Sequence, residues 1–272
     1  MTRNPFLLLL GVFRLVLLFL HVLAGLFLVY LLKAMPGKRW FDSRAGKLTI
    51  RVWSYVAAMI IGVRLTTTGQ PIHGLWVVNH ISWLDIIAIS SIDPARFVSK
   101  AEVKQWPVLG ILAEKSGTFF LQRNSPRAAK KCLEDVTCQL HRGRSIIVFP
   151  EGTTSDGSQV LHFHGTFFQA AIDGQARIQP IALEYRRASR RDWLAPYIDD
   201  DTFIPHLFRL VCTPYTEVAI SFLDPVQVRD RDRKSLASIC QQRISSLLVN
   251  PVVVGADQAE ESLPINPLGQ LD

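Results

Sequence analysis

The sequence predicts an α/β protein: a mixed central β-sheet flanked by helices, preceded by an N-terminal two-helix membrane-associated segment. Three observations predict this. Residues 6–32 are almost wholly apolar. After Thr66, short apolar runs alternate with helical stretches, as strands and helices of one layered domain do. No Pro/Gly/Ser-rich linker or internal repeat divides the 272-residue chain, which favours one large domain over two small ones. The expected division is 1–65 for hydrophobic anchoring helices, 66–250 for the globular domain and 251–272 for a loose acidic tail.

The first apolar stretch, Phe6 to Leu32, is broken only by Arg14 and His21. As a helix it is about 40 Å long, enough to cross a hydrocarbon core of about 30 Å with tilt. It is too long for a secretory signal, and Lys33, Lys38 and Arg39 follow it where a small-residue cleavage site would stand. With Arg51, those cations place the chain after the stretch on the cytoplasmic side of a membrane. A second apolar segment, Ile50 to Leu65, is shorter and fits a helix in the interface better than a full span. Arg14 leaves the first segment open between a span with a snorkelling arginine and a half-embedded helix pair.

In the globular region the expected strands are 75–78, 96–99, 118–122, 145–149, 178–184 and 217–222. The clearest helix lies between Ser125, a cap, and Gly143, a stop, with Pro126 in its first turn. Its apolar positions Ala129, Cys132, Leu133, Val136 and Leu140 share one face. A last amphipathic helix is expected from about Arg231 to Leu248. The tail beyond Pro251 carries four acids and no base.

Composition excludes general disorder, with 49% hydrophobic and 19% charged residues. The net charge of +7 calls for an anionic partner. The one dense basic run, Arg186, Arg187, Arg190 and Arg191, lacks the aromatic interleaving of a nucleic-acid surface, so an acidic lipid surface is expected and nucleic acid is not. Cys132, Cys138, Cys212 and Cys240 form no CxxC pair or metal-ligand spacing and read as small buried hydrophobes of a reduced compartment; no metal is expected.

Three segments carry chemistry. In the first, an apolar run ending at Val78 delivers Asn79 and His80, and Asp85 follows five positions after the histidine. A histidine suits proton abstraction near neutrality, and a carboxylate at Nδ1 would fix its tautomer and steady the imidazolium. In the second, Gly117 to Arg123, a hydrophobic strand ends in an arginine, the residue best shaped to grip a phosphate. In the third, Phe149-Pro150-Glu151-Gly152-Thr153-Thr154-Ser155, a strand enters a hydroxyl-rich turn whose backbone N–H groups suit an anion. Each has a structural reading when taken singly: a core histidine, a solvated arginine, an ordinary turn. No GxSxG elbow occurs, which argues against a serine acyl-enzyme.

Taken together and in this order, the segments resemble the glycerolipid acyltransferase family, which includes the 1-acylglycerol-3-phosphate O-acyltransferases. Asn79, His80 and Asp85 match its first block, Gly117 through Arg123 its second, and Phe149 through Ser155 its third; Gln179-Pro180-Ile181-Ala182 resembles a looser fourth. The chain departs from the family at Phe163-His164-Gly165, where members often carry Lys-x-Gly.

The resemblance implies an O-acyltransferase. It would move a fatty acyl group from acyl-CoA or acyl-carrier protein to the sn-2 hydroxyl of 1-acylglycerol-3-phosphate, giving phosphatidic acid. His80 would be the base and Asp85 its orienter. Arg123, Glu151, Gly152, Thr153, Ser155, Lys100 and Gly117 would bind substrate. No cofactor beyond the thioester co-substrate is implied. The implied partners are a lysophospholipid, the thioester donor and membrane lipids, and the implied site is the cytoplasmic side of a bacterial inner membrane. Alternatives are another acceptor, such as lyso-ornithine lipid, or a non-catalytic lipid-binding protein on the same fold.

Overall fold

The computed structural model describes residues 4–33, 43–106, 109–122 and 124–249; the expected tail at 251–272 and Arg123 lie outside them. Two helices come first, α1 (Pro5–Lys33) and α2 (Arg44–Ile61). Ser43 caps α2 by accepting from Gly46 N–H at 3.0 Å, and Gly62, at φ +93°, ends it. The second apolar segment is therefore not one helix. Its last residues open strand β1 (Val63–Thr68), ahead of the boundary expected at residue 65, because the left-handed glycine turns the chain onto the sheet edge.

The remaining elements in chain order are β2 (Leu75–Val78), α3 (Leu84–Ser90), β3 (Arg96–Lys100), a 3-10 turn at 101–105, α4 (Leu109–Lys115) and β4 (Phe119–Leu121). Then follow α5 (Pro126–His141), β5 (Ile146–Val148), α6 (Thr166–Asp173), β6 (Ile178–Arg187), β7 (Arg190–Arg191), α7 (Phe203–Val211), β8 (Thr216–Phe222) and α8 (Arg233–Val249). The strands form one mixed sheet in the order β1-β8-β6-β2-β5-β3-β4, with β7 as a hairpin on β6. β6, β2, β5, β3 and β4 run parallel, and β8 with β1 runs against them. The C-terminal ends of β2, β5 and β3 therefore share one sheet edge, where ligand sites of open α/β sheets collect.

Every residue of β2 is buried, as expected of a parallel strand covered on both faces. Trp76 and Val78 point into the core beneath α2, α3 and α7, with Leu84, Ile89 and Leu210. Leu75 and Val77 point the other way, among Val136, Leu140, Phe168, Leu236 and Ile244 of α5, α6 and α8. Cys132 and Cys240 are buried filler, whereas Cys138 is exposed and Cys212 half-buried.

Helix α1 is long and apolar enough to cross a membrane. One face is docked along much of its length. The Arg14 guanidinium donates to the carbonyls of Val211, Thr213 and Pro214 at 3.1, 2.6 and 2.9 Å, capping the C-terminal end of α7. His21 stacks on Trp53 of α2 at 4.8 Å. A Cβ on Gly11 would collide with Cys212 Sγ, and one on Gly25 would fall 2.7 Å from Trp53 Nε1, so a larger residue at either position would displace its neighbour. The opposite face leaves Phe6, Leu9, Phe13, Phe19, Phe27 and Tyr30 exposed.

Candidate active site

Where the β2–β6 ladder ends at Val78, Asn79 prolongs it with its side chain. Its amide donates to Leu183 O at 3.0 Å and accepts from Leu183 N–H at 2.8 Å, in the manner of another peptide. The next residue, His80, is thereby delivered to the sheet's C-terminal edge. The chain then folds back so that Asp85, in the first turn of α3, comes beneath the imidazole, with His80 Nδ1 to Asp85 Oδ2 at 2.7 Å.

Asp85 is fully buried, and each of its oxygens is used. Oδ2 also accepts from the N–H groups of Ile81 and Ser82 at 2.8 and 3.1 Å, and Oδ1 accepts from the Tyr185 hydroxyl at 2.6 Å. A carboxylate is an acceptor only, so the neutral imidazole carries its proton on Nδ1 and presents the Nε2 lone pair. Among the described residues Nε2 has no hydrogen-bond partner, and the ring is 19% exposed. Its face is stacked on Phe149 at 3.9 Å. Burial and the neighbouring Asp85 push the Tyr185 phenol well above its ordinary range, so it remains a donor.

The third block holds His80 by its backbone. Glu151 Oε1 accepts from His80 N–H at 2.8 Å and Oε2 from Leu161 N–H at 3.1 Å, while Ser155 N–H donates to His80 O at 2.8 Å. Each carboxylate oxygen of the buried Glu151 thus accepts from a main-chain donor, so the residue expected to bind substrate also clamps the backbone of His80. Burial pushes this carboxyl up to about 7 against the pull of the two N–H bonds. Gly152, at φ +70°, makes the turn between the two clamps, and Thr153 is exposed at its rim.

The structure brings His80, Asp85, Glu151, Gly152 and Ser155 together. Lys100 is exposed at the end of β3, on the same sheet edge as His80 but two strands away. Gly117 is not at this edge. It precedes β4, at φ +81°, and a Cβ there would meet the Arg96 guanidinium at 3.2 Å, at the opposite strand ends. Gly117 was expected among the substrate-binding residues; the strand direction sets it apart from His80, because a residue before one parallel strand lies across the sheet from a residue after another. Tyr185 is the residue sequence reasoning missed. The available signal was a phenol in a strand whose run Ile181-Ala182-Leu183 reads as core, where a buried hydroxyl needs a partner.

A cavity of about 450 Å³ lies between α1, α2 and the α3 side of the sheet. Leu28, Ile50, Trp53, Ile87 and Phe97 supply apolar wall, and Trp83, between His80 and Asp85 in sequence, stands among the lining residues. A base held by a satisfied carboxylate can take a proton from a hydroxyl. Neither His80 nor Asp85 lines the cavity, which approaches them through Trp83 and through Phe97, stacked on the Phe149 that stacks on His80. Its apolar wall can receive a hydrocarbon tail.

A family profile described as Acyltransferase matches residues 65–184. A lyso-ornithine lipid O-acyltransferase of Pseudomonas aeruginosa is 40% identical over 190 residues, covering 69% of this chain and 72% of that protein. A 1-acyl-sn-glycerol-3-phosphate acyltransferase of Neisseria gonorrhoeae is 32% identical over 198 residues, covering 72% and 78%. The fold matches the crystal structure of the 1-acyl-sn-glycerophosphate acyltransferase PlsC from Thermotoga maritima, with a TM-score of 0.63 at 20% identity over 90% of this chain and 96% of that one. With a relative of this identity and coverage behind the three sequence blocks, the chain belongs to the acyltransferase family that acts on lysolipids.

Proposed function

We propose that the chain transfers a fatty acyl group from an acyl thioester to the free hydroxyl of lyso-ornithine lipid. The observation that carries the chemistry is the His80–Asp85 pair, with Nδ1 held at 2.7 Å and Nε2 free of partners among the described residues. His80 Nε2 takes the hydroxyl proton as that oxygen attacks the thioester carbonyl carbon. The tetrahedral intermediate collapses with loss of the C–S bond, and the departing thiolate takes the proton back from the imidazolium. Asp85 stabilises the cation while it exists. The apolar cavity receives an acyl chain, and coenzyme A or acyl-carrier protein delivers the thioester.

The acceptor rests on the relatives. The P. aeruginosa protein and a Rhizobium meliloti protein, 30% identical over 228 residues, both bear the lyso-ornithine lipid name. A second reading, 1-acylglycerol-3-phosphate giving phosphatidic acid, is favoured by the N. gonorrhoeae relative and by the second block, where Arg123 would grip the phosphate assisted by Lys100 and Thr153. The exposed face of α1 lies in the lipid of a bacterial inner membrane, on the cytoplasmic side, half-embedded because its other face is occupied by protein. Exposed Arg190, Arg191 and Trp193 then meet anionic headgroups.

An acceptor panel tests the reading. Detergent-solubilised protein given acyl thioester should release thiol with lyso-ornithine lipid at a rate at least about tenfold above that with 1-acylglycerol-3-phosphate, a margin of about 1.4 kcal/mol. The reverse preference would favour the second reading, and a thiol release independent of either acceptor would remove both.

A further inference from the structure

His206 is buried without exposure in α7, and the catalytic scheme does not use it. Its two nitrogens bridge two different segments. The Trp83 indole N–H donates to Nδ1 at 3.0 Å, and Nε2 faces Pro196 O at 2.9 Å. An indole nitrogen only donates and a carbonyl only accepts, so this is the neutral imidazole with its proton on Nε2. Burial lowers its pKa, chiefly against the pull of the Pro196 carbonyl, with Arg209 lowering and Asp201 raising it, so the Nδ1 lone pair is kept.

What His206 holds matters more than how it is held. Trp83 lies three residues after His80 and two before Asp85, and it is one of the residues that line the cavity. Phe203, one turn before His206, closes edge-on against the same indole at 5.0 Å. The segment His206 grips is itself a strap over the catalytic loop: Tyr197 N–H donates to Ile81 O at 2.9 Å, and the Thr154 hydroxyl donates to Tyr197 O.

We propose that His206 is a positioning residue that sets the Trp83 indole as a wall of the acyl cavity beside the catalytic pair, and so helps determine which acyl chains are accepted. The proposal rests on the acyltransferase reading of His80 and on the cavity as the acyl site. His206→Phe keeps a ring in the space but removes both bonds, and Trp83→Phe removes the indole donor from the other side.

Each should change the ratio of kcat/KM for long-chain over medium-chain acyl thioesters by about tenfold in the same direction, mostly through KM, with the double variant no different from either single one. His206→Asn, whose side-chain oxygen again offers an acceptor, should recover part of the wild-type profile. A second measurement needs no turnover: with indole-¹⁵N labelling, the Trp83 N–H resonance should move upfield in His206→Phe and stay in place in a control such as Cys138→Ser.

An unshifted resonance would show that the bond is absent and overturn the proposal whether or not the acceptor is known. Equal loss of kcat at every chain length, or additive effects in the double variant, would reduce His206 to a structural residue. Failure of the function itself would show separately, as wild-type protein without acyl transfer.

Discussion

The loop after β2 and helix α1 each place an ionisable side chain among apolar neighbours, and they satisfy it by opposite routes. At the loop, Asp85 gathers His80, Ile81 and Ser82 from within five positions, with one distant donor, Tyr185. On α1, Arg14 has no local hydrogen-bond partner among the described residues and caps carbonyls 197 to 200 positions away. Their purposes differ accordingly. The local network leaves the His80 Nε2 lone pair presented, as the proposed proton abstraction requires, whereas the distant one ties an otherwise lipid-like helix to the sheet domain. The contrast predicts that damage at the His80–Asp85 pair appears in turnover and damage at Arg14 appears in stability.

The largest effect should come from Asp85→Asn. An amide oxygen in the place of Oδ2 carries no charge to steady the imidazolium, and the NH2 in the place of Oδ1 meets the Tyr185 hydroxyl as a second donor, so the hold on the imidazole is weakened. kcat should fall by about 10³–10⁴-fold, the scale seen when a histidine loses its orienting carboxylate. A loss below tenfold in thiol release would break the comparison at its catalytic end.

Next is Glu151, the clamp on the His80 backbone. Unfolded, its carboxyl ionises near the ordinary 4.5; folded, near 7. The folded chain holds the proton more tightly, so this residue's contribution to stability is complete below about pH 4.5 and is lost as the pH rises through 7. The loss approaches about 3 kcal/mol. Chemical unfolding at pH 5 and pH 8 should show that decline in the wild type and lack it in Glu151→Gln.

Arg14→Leu makes α1 more apolar while leaving the end of α7 uncapped. The melting temperature in detergent should drop by about 4–8 °C with kcat nearly unchanged. An unchanged melting temperature would mean that lipid alone holds α1 in place. The smallest change is expected from Tyr185→Phe, which takes one of four hydrogen bonds from Asp85. kcat should fall by about tenfold, equivalent to about 1.4 kcal/mol, without loss of fold.

The same contrast explains what could be read from the sequence. His80 and Asp85 were legible because their pairing is local and their blocks stand in family order. β2, β3, β4, β5, β6 and β8 were legible as apolar runs, and α5 announced itself through Ser125, Pro126 and Gly143. Tyr185, His206 and the docking of Arg14 were not, because each depends on a partner about a hundred positions away or more. β1 was hidden because Gly62 interrupts an apolar segment that otherwise reads as continuous. The distance of Gly117 from His80 could not be read, because spacing along a chain carries no strand direction. Glu151 and Ser155 were recognised, but their grip on the His80 backbone belongs to the folded chain.

The central claim is that His80 is the base for acyl transfer. The most direct test is thiol release by wild type and by folded His80→Ala, given the same acyl thioester and lysolipid. A fall of at least about a hundredfold is predicted for loss of a general base. A rate within about threefold of wild type would contradict it and leave the His80–Asp85 pair a structural feature of the loop.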